Sequence, residues 1–266
     1  MGLKEMSDLR SFIADLEKTD DIVHVREELS IKYEIPAVLK AFDNGKAVLF
    51  EKVAGFPNKI IGGVCGTRER IYRALKIRND EFYSRLQHAL TYPRKAAEAG
   101  DGPVKEVVEK PQLTKMPILT HFERDPGPYV TSAAVYARDS EEEIQNVSIH
   151  RLQILDDSHF AIRIVPRQLY RLCQMAKERG EKTLDISISA GLHPAVLLAA
   201  AAPAPFGVCE FDVANELMDG KLRLIQCEHV DAYAPADAEF VLEGKILLDR
   251  AVPEGPFVDL TSTYDI

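Results

Sequence analysis

A chain of 266 residues has room for one large or two ordinary domains, and an apolar content of 46% supplies enough core-forming side chains for a globular fold. Its 42 acidic and 33 basic side chains leave a net charge of -9 and are spread along the whole length, with no Lys/Arg block to track a phosphate backbone, which excludes nucleic acid as an expected partner. The opening MGLKEMSDLR has no apolar secretory run, and no stretch approaches the roughly 18 apolar residues of a membrane helix, so a cytoplasmic protein without membrane contact is expected.

The first hundred residues alternate helix and strand. Leu9, Phe12, Ile13 and Leu16 repeat at helical spacing behind Ser7 and Asp8, which can cap a helix start. IVHV (22–25) reads as a strand. A helix is predicted from Ser30, with Ile35, Val38, Leu39 and Phe42 on one side, ending at Asn44-Gly45 where a left-handed residue is easily accommodated. Strands AVLFEKV and KIIGGV follow, then helices holding Ile71 and Leu75, and Phe82, Leu86 and Leu90. This is an α/β pattern.

From Tyr92 to Pro128 the periodicity fades and prolines accumulate, which predicts a surface connection and a domain boundary near residue 110. Beyond it the chain becomes strand-rich: YVTSAAVYA, then NVSIHRLQIL joined through Asp156-Asp157-Ser158 to HFAIRIV as a hairpin. Pro166 suits the first turn of a helix carrying Leu169, Leu172, Cys173 and Ala176 and stopping at Gly180. LDISIS, KLRLIQCE and EFVLEGKILL complete a set of strands that points to a β-barrel. The expected fold is therefore α+β: an N-terminal α/β domain over 1–110 and a β-barrel domain over 111–266.

Certain polar groups stand where ordinary strands and helices do not need them. Asn146 and Ser148 share one face of an otherwise apolar strand, with Arg151 on the other unless a bulge intervenes. Glu210 follows the small-residue run AVLLAAAAPAPFGVC, and PEGPFVD places Glu254 and Asp259 on a turn rich in Gly and Pro. Each alone has an ordinary structural explanation. Together they comprise a strong cation, three carboxylates and neutral oxygens, a set suited to holding a phosphate-bearing cofactor through a hard metal and moving a proton. Cys65, Cys173, Cys209 and Cys227 lack CxxC spacing and read as small buried hydrophobes. The histidines outside the NVSIHR motif (His24, His88, His121, His159, His193 and His229) show no metal-ligand pairing and read as ordinary surface or core residues.

The segments DLRSFIADLEK, KAVLFEKVAGFPNKIIGGVCGTRER, RDPGPYVTS, NVSIHRLQ, LHPAVLLAAAAPAPFGVCE and VLEGKILLDRAVPEGPFVD stand in the order found in the UbiD family of decarboxylases, which this chain resembles almost from end to end. The most specific part is N-x-S-I-x-R followed far downstream by PEGPF-x-[DE]. The resemblance implies a split β-barrel that binds prenylated FMN, with manganese (or magnesium) and potassium ions tying the cofactor phosphate to protein. It implies Asn146, Gln168 and Glu210 as metal ligands, with Gln168 standing where the family usually has histidine. A glutamine oxygen ligates hard cations but is a weaker manganese donor than imidazole. Arg151, Glu254 and Asp259 match the catalytic acid-arginine-acid set, with Asp259 as proton donor. Thr131, Ser148, Ile149, His150, Arg151, Arg167 and Pro203 fall where the family lines the flavin and its phosphate.

Family members continue into a further α/β domain, so association with that missing C-terminal domain, or homo-oligomerisation, is expected. A flavin prenyltransferase is the implied cofactor supplier. The substrate is expected to be a small α,β-unsaturated carboxylic acid. THFERDPGPYVTS and NVSIHR followed by RIVPR resemble the group acting on trans-anhydromevalonate 5-phosphate in isoprenoid synthesis more than the group acting on 3-polyprenyl-4-hydroxybenzoate. The rivals are a non-catalytic flavin-binding subunit and a flavin reductase-like barrel. No GxGxxG behind a strand supports the second.

Overall fold

The computed structural model describes residues 6–139, 141–258 and 263–265. Helix α1 (Leu9–Glu17) starts where the spacing predicts. Asp8 caps it by accepting the Ser11 N–H at 2.6 Å, and Leu9, Phe12 and Leu16 are buried. Strands β1 (Ile22–Leu29) and β2 (Ala47–Val53) run parallel, joined across helix α2 (Glu34–Ala41), and β3 (Ile60–Gly62) pairs antiparallel with β2. Two boundaries differ from expectation. β1 continues past Val25 to Leu29 because it pairs with β2 to the end, and α2 starts at Glu34 because Tyr33 takes φ 72° and its N–H is bound to the Thr120 carbonyl at 3.1 Å. Helices α3 (Arg68–Leu75) and α4 (Phe82–Thr91) follow. Arg70, only 1% exposed, ties this part together through Asp21 and the carbonyls of Gly45 and Gly63.

The second part contains β4 (Ala97–Glu98), β5 (Tyr129–Val130), β6 (Ala133–Asp139), β7 (Ile144–Ile149), β8 (Leu152–Ile154), β9 (Phe160–Ile162), α5 (Gln168–Glu178), β10 (Thr183–Ala190), α6 (Pro194–Ala201), α7 (Glu210–Leu217), β11 (Arg223–Gln226), β12 (Tyr233–Pro235), β13 (Phe240–Leu247), β14 (Phe257–Val258) and β15 (Tyr264–Asp265). Its central sheet has the antiparallel order β13-β10-β6-β7, flanked by β5-β8-β9, β12-β11-β4 and the β14-β15 ribbon. The described strands of the whole chain lie in five separate sheets, and no closed barrel forms among them. The fold is mixed α+β.

Strand β6, inside the central sheet, is buried on both faces. Ala133, Val135 and Ala137 of β6 face one core with Ile186, Ile188 and the apolar side of α5, while Ala134 and Tyr136 face another with Val196, Ala199 and Phe211 of α6 and α7. Double burial accounts for the unbroken apolar run in β6. Two strands expected to be continuous are broken. YVTSAAVYA divides at Thr131-Ser132, and NVSIHRLQIL divides at His150-Arg151, where the chain leaves the central sheet for β5-β8-β9. Pro166 lies just before α5 rather than inside its first turn, and Gly180 ends that helix region with φ 83°. Cys173, Cys209 and Cys227 are buried and free as expected, whereas Cys65 is exposed. Among the described residues no helix is long and apolar enough to cross a membrane.

Candidate active site

The strand break at His150-Arg151 separates two polar clusters, one on each side. On the β7 side, Asn146 and Glu210 are 2% and 3% exposed and meet across 64 residues of sequence. Asn146 Nδ2 donates to Glu210 Oε1 at 3.0 Å, and the Val147 N–H donates to Glu210 Oε2 at 2.6 Å. Glu210 is the first residue of α7, where the helix N-terminus favours an anion. Burial outweighs this and the two hydrogen bonds, and pushes the Glu210 carboxyl up to about 7.

Ser148 lies on the same strand face as Asn146, as the alternation predicts. Its hydroxyl is 3.0 Å from Asn146 Oδ1 and 2.9 Å from His150 Nε2. His150 Nδ1 faces the Arg163 carbonyl at 2.9 Å, which only accepts, so the ring proton sits on Nδ1. Burial lowers the His150 pKa, with the Arg163 carbonyl opposing, and keeps the ring neutral. His150 Nε2 is therefore an acceptor. The single Ser148 proton can serve Nε2 or Asn146 Oδ1 but not both, and whichever oxygen or nitrogen is left has a lone pair for an incoming donor or cation.

On the other side of the break, Arg151 makes a fork to Glu254, with Nε to Oε1 at 2.9 Å and Nη2 to Oε2 at 2.7 Å, and both side chains are largely buried. Burial works against the Arg151 charge, but bonding to Glu254 outweighs it and the pKa is raised. The Phe257 ring lies 5.3 Å from the guanidinium carbon and packs on Tyr129 with centroids 4.3 Å apart. Tyr129 Oη donates to Gln153 Oε1 at 3.1 Å, and burial, then the nearby Glu254 charge, raises its pKa. Gly255, at φ 95°, makes the turn that presents Glu254, a conformation a side-chain-bearing residue rarely adopts. Asp259 lies outside the described residues.

Gln168 opens α5. Its Nε2 donates at 2.6 Å to the Ala204 carbonyl in the link that leads to Glu210, while its Oε1 is buried without a partner. No hydrogen bond among the described residues joins Gln168 to Asn146. The orphaned Gln168 oxygen, the spare acceptor beside Ser148 and the Glu210 carboxyl are each of a donor type that a divalent cation takes. Groups of three His, Cys, Asp or Glu able to hold a metal do not occur among the described residues. Ile149 packs on the α6–α7 core. Thr131, Arg167 and Pro203 are exposed. An open cleft of about 2320 Å³ is lined by Arg163, Pro253, Glu254 and Gly255 together with apolar side chains including Ile162, Ile186 and Ile246. Asn146, Ser148 and Glu210 do not line it.

The family model described as the 3-octaprenyl-4-hydroxybenzoate carboxy-lyase Rift-related domain matches residues 95–266, and that of the N-terminal domain of the same enzymes matches residues 13–90. The chain belongs to the UbiD family. The chain is 39% identical to the anhydromevalonate phosphate decarboxylase of Methanothermobacter thermautotrophicus over 93% of its own length and 57% of the relative's. With the enzyme of the same name from Methanosarcina mazei the identity is 34%, over 97% of the chain and 59% of the relative. It thus spans less than two thirds of these UbiD relatives. Among solved structures, an evolved dimeric form of the UbiD-class enzyme HmfF from Pelotomaculum thermopropionicum in complex with prFMN superposes with a TM-score of 0.95 at 37% identity, covering 98% of this chain and 62% of that one. The closed form of the vanillic acid decarboxylase of Sedimentibacter hydroxybenzoicus gives 0.91 at 26% identity, covering 98% and 59%.

Sequence reasoning did not single out Tyr129 or Gln153, which surround Glu254, nor Arg163 and Asp265, which join Arg151. Arg163 Nη2 is 3.0 Å from Asp265 Oδ2, and Arg151 Nη2 is 3.2 Å from the same oxygen. Tyr129 falls inside the UbiD segment RDPGPYVTS, a signal that was present. Arg163 and Asp265 look like ordinary charged ends of short strands.

Proposed function

We propose that this chain is the cofactor-binding part of a UbiD-type decarboxylase that removes carbon dioxide from a small α,β-unsaturated acid, with trans-anhydromevalonate 5-phosphate as the best-matched substrate. The observation that carries the reading is the Arg151–Glu254 fork at the edge of a cleft, one strand break away from the buried Asn146–Glu210 pair. The relatives named anhydromevalonate phosphate decarboxylase support the substrate. The neighbour solved with prFMN supports the cofactor.

Asn146, Gln168 and Glu210 would hold a divalent ion, manganese or magnesium, which with potassium would tie down the flavin phosphate. Ser148, Ile149, His150, Thr131, Arg167 and Pro203 are assigned to the flavin's surroundings on their match to the family motif. When bound, the prenylated flavin supplies an electron sink for the pair released with carbon dioxide. Arg151 orients the substrate carboxylate by charge-assisted bonds while Glu254 keeps the guanidinium fixed in plane. Tyr129 and Gln153 hold the turn that presents Glu254. Asp259 is assigned the proton that replaces the lost carboxylate, on its match to the family donor.

The two sheets that share the His150-Arg151 break are read as halves of a split barrel around the flavin, with the domain division near residue 110. Self-association or pairing with a further domain, cofactor supply by a flavin prenyltransferase and a cytoplasmic setting belong to the same reading. A non-catalytic flavin-binding role is the alternative, favoured by the glutamine at position 168. Reconstituting the chain with prenylated FMN and manganese and assaying carbon dioxide tests the choice. Release from trans-anhydromevalonate 5-phosphate but not from 3-polyprenyl-4-hydroxybenzoate supports the proposal. Flavin binding without release from either acid favours the alternative.

A further inference from the structure

Arg151 and Arg163 stand side by side because the Arg163 N–H donates to the Arg151 carbonyl at 3.3 Å, next to the β8–β9 pairing. Their guanidinium groups converge on a single oxygen, Asp265 Oδ2, at 3.2 and 3.0 Å. Arg151 already has its full fork from Glu254, so Asp265 is a second carboxylate on that cation and the ion-pair partner of Arg163. The charges balance, two positive against two negative. Withdrawal of Asp265 leaves two guanidinium groups facing one carboxylate, a geometry that attracts an oxyanion.

Asp265 is held in a way that permits withdrawal. Among the described residues its strand pairs with β14 through Phe257↔Asp265 and Val258↔Tyr264, and Tyr264 lies under the Arg124 guanidinium at 4.5 Å. Asp265 is 35% exposed and Arg163 39% exposed, and Arg163 lines the open cleft beside Glu254. Ion pairs this exposed contribute little stability, so a ligand anion can compete with them.

We propose that Arg163, beside Arg151, forms a subsite for a second anionic group of the bound acid, a phosphate or carboxylate distinct from the flavin phosphate and from the carboxylate held by Arg151, and that Asp265 fills this subsite until that group displaces it. The inference rests on the reading of Arg151 and Glu254 as the active-site pair, and goes beyond it by assigning Arg163 to substrate selection and Asp265 to occlusion. An acid with one charged end would leave Asp265 in place. An acid with anions at both ends would expel it.

Calorimetric titration of the flavin-free chain with 2-phosphoglycolate, which carries both a carboxylate and a phosphate, tests the subsite. Asp265→Asn should bind it roughly two- to fivefold more tightly than the wild type. Adding Arg163→Gln should cancel that gain. On the wild type, saturating 2-phosphoglycolate should speed amide hydrogen exchange at Tyr264 and Asp265, a readout that needs no variant to fold. FMN affinity should be the same in Arg163→Gln as in the wild type. An Asp265→Asn affinity equal to wild type, a gain that survives Arg163→Gln, slowed or unchanged exchange at both amides, or an equal loss of FMN and 2-phosphoglycolate binding in Arg163→Gln would each overturn the proposal. Because the titration needs no flavin turnover, its failure is distinguishable from failure of the decarboxylation assay.

Discussion

Arg151 and Glu254, 103 residues apart in sequence, form a two-point ion pair in which Nε and Nη2 each take one carboxylate oxygen. A neutral amide cannot reproduce this fork, because one of its two ends is a donor facing a donor. Glu254→Gln should lower turnover of the reconstituted protein by about 10²-fold, the size of effect expected when a substrate-orienting group is displaced. Flavin affinity, measured by fluorescence quenching, should stay near the wild-type value. A variant with full turnover would remove Glu254 from the mechanism.

Glu210 gives a pH dependence of known sign. Its carboxyl is raised from 4.5 to about 7 by burial, so the folded state binds more protons than the unfolded state between those values. Stability from this group is therefore full below pH 4.5 and is lost as pH rises through 7. Glu210→Gln, with Asn146 turned to accept, should raise the melting temperature at pH 8 by the equivalent of about 1–3 kcal/mol, the cost of an imperfectly solvated buried polar group. No gain is expected at pH 4. Manganese or magnesium should raise the wild-type melting temperature at pH 8 and leave Glu210→Gln unmoved.

His193 acts in the opposite direction. It caps α6 by accepting the Ala195 N–H at 3.2 Å, contacts Phe12 edge-on, and is lowered from 6.5 to about 4 by burial. Between these values the unfolded state binds the extra proton, so stability falls as pH drops from 6.5 towards 4. His193→Asn keeps a capping acceptor and removes the titration. Its melting temperature should fall less than the wild type's between pH 7 and pH 4.5. An identical slope would show that His193 is not the group responsible.

Much of the architecture was legible in the sequence because local rules and tertiary structure agreed. The Asp8 cap, the α1 face and the hairpin at Asp156 formed where spacing placed them. The facing of Asn146 and Ser148 followed from strand alternation alone. The break at His150-Arg151 was not legible, because NVSIHRLQIL alternates plausibly as one strand and only pairing with two different sheets divides it. Because the chain changes sheets at that break, the alternation of a single strand, which put Arg151 on the face opposite Asn146, no longer relates the two residues. Arg163 and Asp265 were invisible for another reason: their significance lies in sharing one oxygen, and no spacing rule encodes a contact made 102 residues apart, the separation of their positions.

Gln168 separates two views of the metal. Its amide nitrogen is engaged by the Ala204 carbonyl, while its oxygen lacks a partner. In Gln168→His an imidazole nitrogen would replace that oxygen, and the second ring nitrogen could donate to the same carbonyl, as metal-bound histidines commonly do. Manganese affinity by calorimetry should rise on the order of tenfold or more. An unchanged affinity would place the ion away from position 168.

The most direct measurement is the affinity of the chain for FMN with and without manganese, in the wild type and in Asn146→Ala. If distant oxygen donors gather to bind a cofactor phosphate through a cation, manganese should tighten FMN binding by about tenfold or more in the wild type and have no effect in Asn146→Ala. Equal FMN affinities in all four conditions would contradict it.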